Sequence, residues 1–254
     1  VGLNLSTGGV YPSPSYAAVS SNAINWTTVP AAGIAGINGM IDVTHNGSQW
    51  IAVGYSNHIA TSTNGTSWVL RNSDSVGKDL YSVLWNSSTS TIVATGSSGT
   101  MLSSTNGTTW TTLGENLTTT LLSDVIWTGT RVVAVGGYTY ANATHDSVII
   151  SSADGSGGWT KLHSDTARTL KSIAHSGNQM VVVGESGVIL NSTDNGVTWN
   201  PVTSGVTAHL LMVRRVGNQF VAAGAGGTLL TSPNGINCTA RNSTVIGPLT
   251  TITQ

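Results

Sequence analysis

The stretch VVVGESGVILNSTDNGVTW at residues 181–199 contains the pattern that decides the fold. A β-branched run ends in glycine, and a tight turn and a short alternating run follow. The stretch closes with a Ser/Asp/Asn/Gly phrase and a tryptophan. Short β-branched runs bounded by Gly, Asn and Ser predict strands joined by tight turns. The stretch therefore predicts two antiparallel strands, with the phrase as the turn into a third.

The phrase, called the repeated motif below, occurs six times in the 254 residues. Its copies are SSNAINW at 20–26, STNGTSW at 62–68, STNGTTW at 104–110, SADGSGGW at 152–159, STDNGVTW at 192–199 and SPNGINC at 232–238. The first serines lie 42, 42, 48, 40 and 40 residues apart. A period near 40 residues is typical of propeller blades and helical repeats, and no stretch shows the apolar period of a helix.

Each repeat predicts four antiparallel strands, so the sequence predicts an all-β, six-bladed β-propeller in a single domain, 1–254. Five blades are expected near 39–72, 79–114, 121–163, 170–203 and 209–240. The N-terminal segment 1–30 lacks an obvious first strand, and the C-terminal 243–254 has no blade of its own. We expect the C-terminal strand to join the N-terminal blade and close the ring, which removes two exposed sheet edges. The alternative is a chain trimmed from a larger propeller.

The repeated motif is predicted to build turns rather than to bind ligands. A short Asn or Asp side chain accepts backbone N–H groups, glycine permits the turn, and tryptophan covers it. This structural role is assigned to Ser62, Asn64, Gly65, Trp68, Ser104, Asn106, Gly107, Trp110, Ser152, Asp154, Trp159, Ser192, Asp194 and Trp199. The copies offer too few carboxylates for calcium, so neither a metal site nor a cofactor is predicted. Cys238 replaces tryptophan in the last copy, whose blade should be less well capped.

The motif resembles the Asp-box, or BNR, repeat Ser-x-Asp-x-Gly-x-x-Trp of sialidases, sortilin-type receptors, some propeller lectins and photosystem II assembly-factor propellers. The resemblance covers nearly the whole chain, and residues 181–199 are most similar to the last group. It implies a propeller and leaves the function open, because members of this fold do unrelated things. The chain has few arginines for the arginine-rich face of assembly-factor propellers.

Catalysis is not predicted, although a sialidase-like glycoside hydrolase is one alternative. The six arginines do not fall at the recurring places of the sialidase arginine triad, and the Arg-Ile-Pro motif is absent. A glycosidase carboxylate pair would have to draw on Glu185, Glu115, Asp146, Asp124 or Asp42. No spacing singles out two of these, so no catalytic residue is assigned.

One repeat departs from the others by the long loop GYTYANATHDSV at 137–148. Insertions in a repeat tend to map to loops on a binding face. The predicted ligand-binding residues are Tyr138, Tyr140, Asn142, His145 and Asp146, with His58 and Glu185 from equivalent turns on what should be the same face. Aromatic rings with amide and carboxylate groups suit carbohydrate recognition. The alternative is a tolerated surface insertion.

Large planar side chains recur where the predicted first strand of each repeat ends. They are His45, Trp85, Trp127, His175 and Arg215. A ring of such groups would suit sugars or a partner. We favour the simpler interpretation that each covers its own hairpin, because large side chains beside tight turns usually pack.

Composition bounds the function. Charged residues are 7% of the chain and the net charge is −1, without a basic stripe for nucleic acid. No apolar run reaches the roughly 20 residues that span a bilayer. We therefore predict a non-catalytic, extracellular or surface-displayed propeller that binds carbohydrate or protein surface ligands. The other alternative is a structural subunit of an extracellular or viral fibre, which would assemble as a homo-oligomer. Asn-x-Ser/Thr sequons would permit glycosylation in a suitable source.

Overall fold

The computed structural model describes residues 2–4, 16–20, 24–25, 27–30, 39–71, 77–113, 117–138, 146–165, 168–250 and 252. These residues divide into two compact units. The first comprises 1–119 with 154–158, and the second comprises 120–153 with 159–254. Each unit contains three antiparallel sheets, whose strands follow one another in chain order.

The first unit has one three-stranded and two four-stranded sheets. The three-stranded sheet contains β1 (Gly2–Asn4), β2 (Tyr16–Val19) and β3 (Thr27–Pro30). The next contains β4 (Met40–His45), β5 (Trp50–Gly54), β6 (Ile59–Ser62) and β7 (Val69–Arg71). The third contains β8 (Leu80–Asn86), β9 (Thr91–Gly96), β10 (Met101–Ser104) and β11 (Thr111–Thr112).

The second unit has three four-stranded sheets. The first contains β12 (Leu122–Trp127), β13 (Val132–Tyr138), β14 (Asp146–Ser152) and β15 (Thr160–Asp165). The second contains β16 (Leu170–Ser176), β17 (Gln179–Gly184), β18 (Ile189–Ser192) and β19 (Asn200–Val202). The third contains β20 (Leu210–Val216), β21 (Gln219–Gly224), β22 (Leu229–Ser232) and β23 (Thr239–Arg241). Four antiparallel strands per repeat are thus confirmed in five sheets.

A glycine at or near the end of the second strand of each four-stranded sheet makes room for the first strand. These glycines are Gly54, Gly96, Gly136, Gly184 and Gly224. At Gly184, an added Cβ would lie 2.1 Å from the carbonyl oxygen of Thr169, and the other four sites are equally tight. The first strand bulges at this point, since Leu170 pairs with Gly184 but Ser172 pairs with Val183. Only a residue without a Cβ permits this approach.

The repeated motif closes the turn between the third and fourth strands. In the copy at 62–68, Ser62 Oγ accepts the N–H of Gly65 at 2.8 Å. Asn64 Oδ1 accepts the N–H groups of Thr66 and Ser67 at 2.9 and 2.8 Å. The indole Nε1 of Trp68 donates to the carbonyl oxygen of Gly65 at 3.0 Å. Side chains thereby satisfy main-chain groups of the turn that no longer form hydrogen bonds between strands.

The same hydrogen bonds recur in other copies. Trp110 donates to Gly107 at 3.2 Å and Trp199 donates to Gly196 at 3.0 Å, each through Nε1. In the fourth copy, Asp154 Oδ1 accepts the N–H of Ser156 at 2.8 Å. The motif thus fixes a turn and presents one large ring, which packs between neighbouring sheets. Trp110, for example, joins the cluster formed by side chains of β5, β6, β8, β9 and β10.

The C-terminal tail of the second unit approaches the last sheet as a further first strand would. Residues 243–249, STVIGPL, align with residues 204–210, SGVTAHL, which lead into β20. In both segments a serine Oγ accepts the N–H two residues on, at 3.3 Å for Ser204 and Val206 and 3.2 Å for Ser243 and Val245. The two connections therefore fold alike.

The alignment continues to Ile252, whose N–H donates to Met212 Sδ at 3.1 Å. The equivalent N–H of Val213 donates to Ser172 Oγ at 3.2 Å, across neighbouring first strands. Ile252 thus takes the position of the fourth residue of a first strand, although the described residues of the tail form no strand. Pairing of the tail with the N-terminal sheet stays a prediction.

Candidate functional site

The predicted ligand-binding loop is shorter than the sequence predicted. β13 extends to Tyr138 and β14 begins at Asp146, and these two residues pair across the hairpin. The prediction of a loop over all of 137–148 was wrong, because residues 137–138 and 146–148 belong to β13 and β14. Tyr140, Asn142 and His145 lie outside the described residues, as do the side chains of Tyr138 and Asp146. Their role in ligand binding stays a prediction.

The turns between the second and third strands, called the glycine turns below, lie at one end of the sheets. Four described examples are Tyr55–Asn57, Ser97–Gly99, Glu185–Gly187 and Ala225–Gly227. The second residue of each turn is left-handed, with φ between 53° and 61°. The turns therefore share one backbone conformation at this position.

Two tyrosines meet at the glycine-turn end of the first unit. Tyr55 comes from the first position of its turn, and Tyr81 is the bulged residue of β8. Their rings are 6.3 Å apart between centroids and nearly perpendicular, at 87°. Tyr55 is 36% exposed, so part of its aromatic ring faces solvent.

A carboxylate holds this tyrosine pair in place. Asp79 Oδ1 accepts the N–H of Ser56 at 2.9 Å, and Asp79 Oδ2 accepts the hydroxyl of Tyr81 at 3.3 Å. Gly39, at φ 63°, lies against the Tyr55 ring. A Cβ added to Gly39 would come within 2.3 Å of Cδ2 of Tyr55. The tyrosine cluster, defined as Tyr55, Asp79 and Tyr81, is therefore held in one arrangement by contacts within the first unit.

His58 follows the same turn and was among the predicted binding residues. Its backbone N–H donates to the carbonyl oxygen of Tyr55 at 3.1 Å. Its Nδ1 is buried and has no hydrogen-bond partner among the described residues. His58 thus adjoins the tyrosine cluster, with one ring nitrogen turned away from solvent.

The second unit presents charged groups at its glycine-turn end. Glu185, another predicted binding residue, forms an ion pair with Lys171 at 3.2 Å. Arg168 donates to the carbonyl oxygen of Ser186 at 3.0 Å, and the N–H of Ser186 donates to His209 Nδ1 at 3.0 Å. Glu185 is therefore paired with a partly exposed lysine, on a surface that carries both signs of charge.

Two acidic residues that a glycosidase could have used are engaged in structure. Asp42 accepts Ser82 Oγ and the N–H of Val83, each at 2.9 Å. Asp124 accepts Ser172 Oγ at 2.7 Å and the N–H of Ile173 at 3.0 Å. Each carboxylate thus connects the first strands of two neighbouring sheets. The Glu115 side chain lies outside the described residues, as does that of Asp146.

The planar residues at the ends of the first strands cover their own hairpins where the structure shows their contacts. The His45 ring lies 4.6 Å from the Trp50 ring, and His45 Nδ1 accepts the N–H of Gly47 at 3.2 Å. The Arg215 guanidinium lies 4.9 Å from the centre of the Phe220 ring. The packing interpretation is confirmed for these two positions. Burial lowers the pKa of His175 below its usual value.

Two other kinds of site are absent from the part of the chain that the structure describes. No helix there is long and apolar enough to cross a bilayer. No three His, Cys, Asp or Glu side chains of the described residues gather where they could hold a metal ion.

The repeated sheets and their glycine turns define an all-β propeller with five four-stranded antiparallel sheets. Residues 116–247 match the family described as the DUF6242 beta propeller domain, and the chain belongs to that family. A comparison with curated proteins gives no match.

Solved structures share this fold at low sequence identity. YCF48 bound to D1 peptide has 15% identity and a TM-score of 0.61, covering 91% of this chain and 71% of that one. YCF48 from Cyanidioschyzon merolae has 16% identity and a TM-score of 0.58, covering 85% and 74%. The C-terminal WD40 domain of Sif2 has 15% identity and a TM-score of 0.58, covering 84% and 63%. At such identities the likeness concerns the fold alone.

The tyrosine cluster escaped the sequence prediction for two reasons. Tyr55 stands directly after Gly54, at the position of Glu185 in its own repeat, so the alignment that selected Glu185 could also have found it. Tyr81 faces Tyr55 only because β8 bulges between Leu80 and Ser82. In the sequence, the only sign of this bulge is Gly96, which lies opposite it on β9.

Proposed function

We propose that this chain is a non-catalytic propeller that binds a segment of a protein partner at its glycine-turn end. The observation that carries the proposal is the tyrosine cluster of the first unit, an exposed ring held by backbone and carboxylate contacts. Tyrosine is enriched among the residues that dominate binding energy at protein interfaces. An ordered cluster loses little conformational entropy on binding, so more of its contact energy appears as affinity.

A structural neighbour also supports a protein partner. YCF48, which shares the propeller fold, has been solved bound to a D1 peptide. The engagement of Asp42 and Asp124 between sheets supports the non-catalytic part of the proposal, because these carboxylates are committed to N–H and hydroxyl donors. Carbohydrate binding rests on Tyr138, Tyr140, Asn142, His145 and Asp146 and stays a prediction.

The test is selection from a displayed library of random peptides on the purified protein, followed by calorimetry with the selected peptides. Tyr55→Ala should weaken binding at least about tenfold, the loss expected of a central aromatic anchor. Val69→Ala is the matched control, because Val69 is a 51% exposed apolar residue on the outermost strand β7. Enrichment of no peptide, or equal weakening by the two variants, would contradict the proposal. A parallel glycan array tests carbohydrate binding.

We also propose six blades, the sixth completed when the C-terminal tail supplies the first strand that the three-stranded sheet lacks. The hydrogen bond of Ile252 to Met212, which matches those between neighbouring first strands, supports this proposal. An extracellular or surface-displayed location is proposed from the 7% of charged residues, well below the about 25% of an average soluble protein. Assembly of several copies is proposed on the same ground, and sedimentation tests it.

A further inference from the structure

The turn between β4 and β5 contains an asparagine followed by a glycine, Asn46-Gly47. The main-chain nitrogen of a residue can attack the side-chain amide of an asparagine that precedes it, and glycine leaves this nitrogen unhindered because it has no Cβ. Gly47 is exposed, and no heavy atom lies within 4 Å of the position that a Cβ would take. The attacking nitrogen is therefore open to solvent on this face.

A base lies beside this nitrogen. His45 Nδ1 accepts the N–H of Gly47 at 3.2 Å, which is within the about 2.6–3.2 Å over which a general base removes a proton. The imidazole is held in place by the Trp50 ring, whose centre lies 4.6 Å from its own. His45 is thus positioned to take the proton of Gly47 as the nitrogen attacks.

The oxygen that gains charge during this attack is surrounded by hydrogen-bond donors. Asn46 Oδ1 accepts the N–H and the hydroxyl of Ser48, each at 3.0 Å, and the N–H of Gln49 at 2.9 Å. Donors that are already in place around such an oxygen stabilise the tetrahedral intermediate. The turn therefore brings together a nucleophile, a base and three donors for the developing oxyanion.

Two copies of the repeated motif contain the same dipeptide without the base. Asn64 Oδ1 and Asn106 Oδ1 also accept N–H groups of their turns, at 2.8 to 2.9 Å. The N–H groups of Gly65 and Gly107, however, are buried and donate to the hydroxyl oxygen of the motif serine at 2.8 Å. A hydroxyl is a much weaker base than an imidazole, so the reaction should be slow in these two turns.

We propose that Asn46 is a site of spontaneous deamidation that His45 promotes. The nitrogen of Gly47 bonds to Cγ of Asn46 while its proton passes to His45 Nδ1. The Cγ–Nδ2 bond then breaks, the imidazolium returns the proton to Nδ2, and ammonia leaves behind a five-membered succinimide. One water molecule adds to either ring carbonyl and opens the ring to aspartate or isoaspartate. The amide is thus exchanged for a carboxylate, with no change of oxidation state.

The test incubates the purified full chain at neutral pH and physiological temperature. The protein is made without glycosylation, because Asn46-Gly47-Ser48 is also a sequon. Peptide mapping by mass spectrometry measures deamidation at Asn46, Asn64 and Asn106. Asn46 should react at least about tenfold faster than the other two and give both aspartate and isoaspartate. In concentrated urea the three rates should become similar, because each site then keeps only its Asn-Gly sequence.

His45→Phe is the matched variant, because it keeps a ring against Trp50 and removes Nδ1. It should slow the reaction at Asn46 at least about tenfold, while the rates at Asn64 and Asn106, which report that the turns stay folded, remain unchanged. Three results would overturn the proposal: equal rates at the three asparagines of the folded protein, an unchanged rate at Asn46 in His45→Phe, or aspartate as the sole product.

Discussion

At the residue scale, the glycine near the end of each second strand lies too close to main-chain atoms to carry a Cβ. Gly184→Ala should lower the free energy of unfolding by more than about 3 kcal/mol, because the new Cβ meets a main-chain oxygen that cannot move alone. That oxygen belongs to Thr169 and lies 2.1 Å from the Cβ position. Urea denaturation measures the loss.

Gly177→Ala is the matched control, since Gly177 has φ +58° and nothing within 4 Å of its Cβ position. It should cost only the about 1–2 kcal/mol of a left-handed non-glycine residue. Equal losses in the two variants would show that conformation, rather than the close approach of the first strand, explains the glycine.

The motif aspartate Asp194 gives a pH signature. Hydrogen bonds from Thr198, together with that from Ser192, lower the pKa of Asp194 from 3.8 to about 2. A carboxyl group whose folded pKa is depressed adds stability above its unfolded pKa and loses it as the pH falls through the folded pKa. We therefore expect this contribution to be complete above about pH 5 and to fade towards about pH 2.

The measurement compares melting temperatures of the wild type and Asp194→Asn across this pH range. The variant keeps an acceptor oxygen, as Asn64 and Asn106 do in their copies, but it cannot titrate. The wild type should lose its advantage over the variant as the pH falls from about 5 to about 2. A difference that stays constant with pH would refute the assignment.

The role of a single residue could be predicted from the sequence where the residue recurs at the same position of several repeats. The roles of Asn64 and Trp68 follow from side-chain chemistry and from repetition, because six copies show which positions stay alike. The meeting of Tyr55 with Tyr81 was not predictable, because it depends on a bulge and on two sheets lying side by side. Sequence periodicity describes one sheet and carries no information about its neighbour.

At the element scale, the first strands are joined by side chains that the strand pattern does not reveal. Asp124 is 7% exposed and accepts a hydroxyl and a backbone N–H from β16, and Arg214 of β20 lies 3.4 Å away. Four strands per repeat could be predicted from turn signals and β-branched runs. The carboxylate between the sheets could not, because an aspartate after a bulge has the same sequence signal as one on the surface.

Asp124→Ala should destabilise the protein by about 2–4 kcal/mol, because it leaves the N–H of Ile173 and the hydroxyl of Ser172 without their buried acceptor. Asp124→Asn retains one acceptor oxygen and should cost clearly less. Denaturant titrations of both variants, followed by tryptophan fluorescence, give the comparison. If the alanine variant were as stable as the wild type, the carboxylate would have no part in joining the strands.

At the scale of the whole molecule, the six copies of the motif predicted six blades, and the structure confirms five four-stranded sheets. The sixth blade depends on the two ends of the chain and stays a prediction. β1–β3 form a three-stranded sheet, and the tail lies against β20 through Met212. The sequence signals of the end segments are weak because each holds only part of a repeat. Their placement depends on contacts between distant parts of the chain, which a repeat count cannot supply.

Deletion of residues 243–254 tests the place of the tail. The deletion removes two hydrogen bonds between the tail and the last sheet. In one, the N–H of Gly227 donates to the carbonyl oxygen of Gly247 at 2.7 Å, and in the other, the N–H of Leu249 donates to the carbonyl oxygen of Gly224 at 2.9 Å. Hydrogen exchange should therefore accelerate at Gly227 and along β20. An exposed strand edge also promotes pairing between copies, so light scattering should detect self-association.

Ile246→Ala is the control for the tail, because Ile246 is 97% exposed and its loss should change neither measurement. If the truncated protein kept the exchange protection of β20 and associated no more than the wild type does, the tail would have no structural role in the last sheet. If it lost both, the tail would act as a structural strand, because a first strand shields the main chain of its neighbour from water on one side. The tail's alignment with 204–210 and its hydrogen bond to Met212 favour the second outcome.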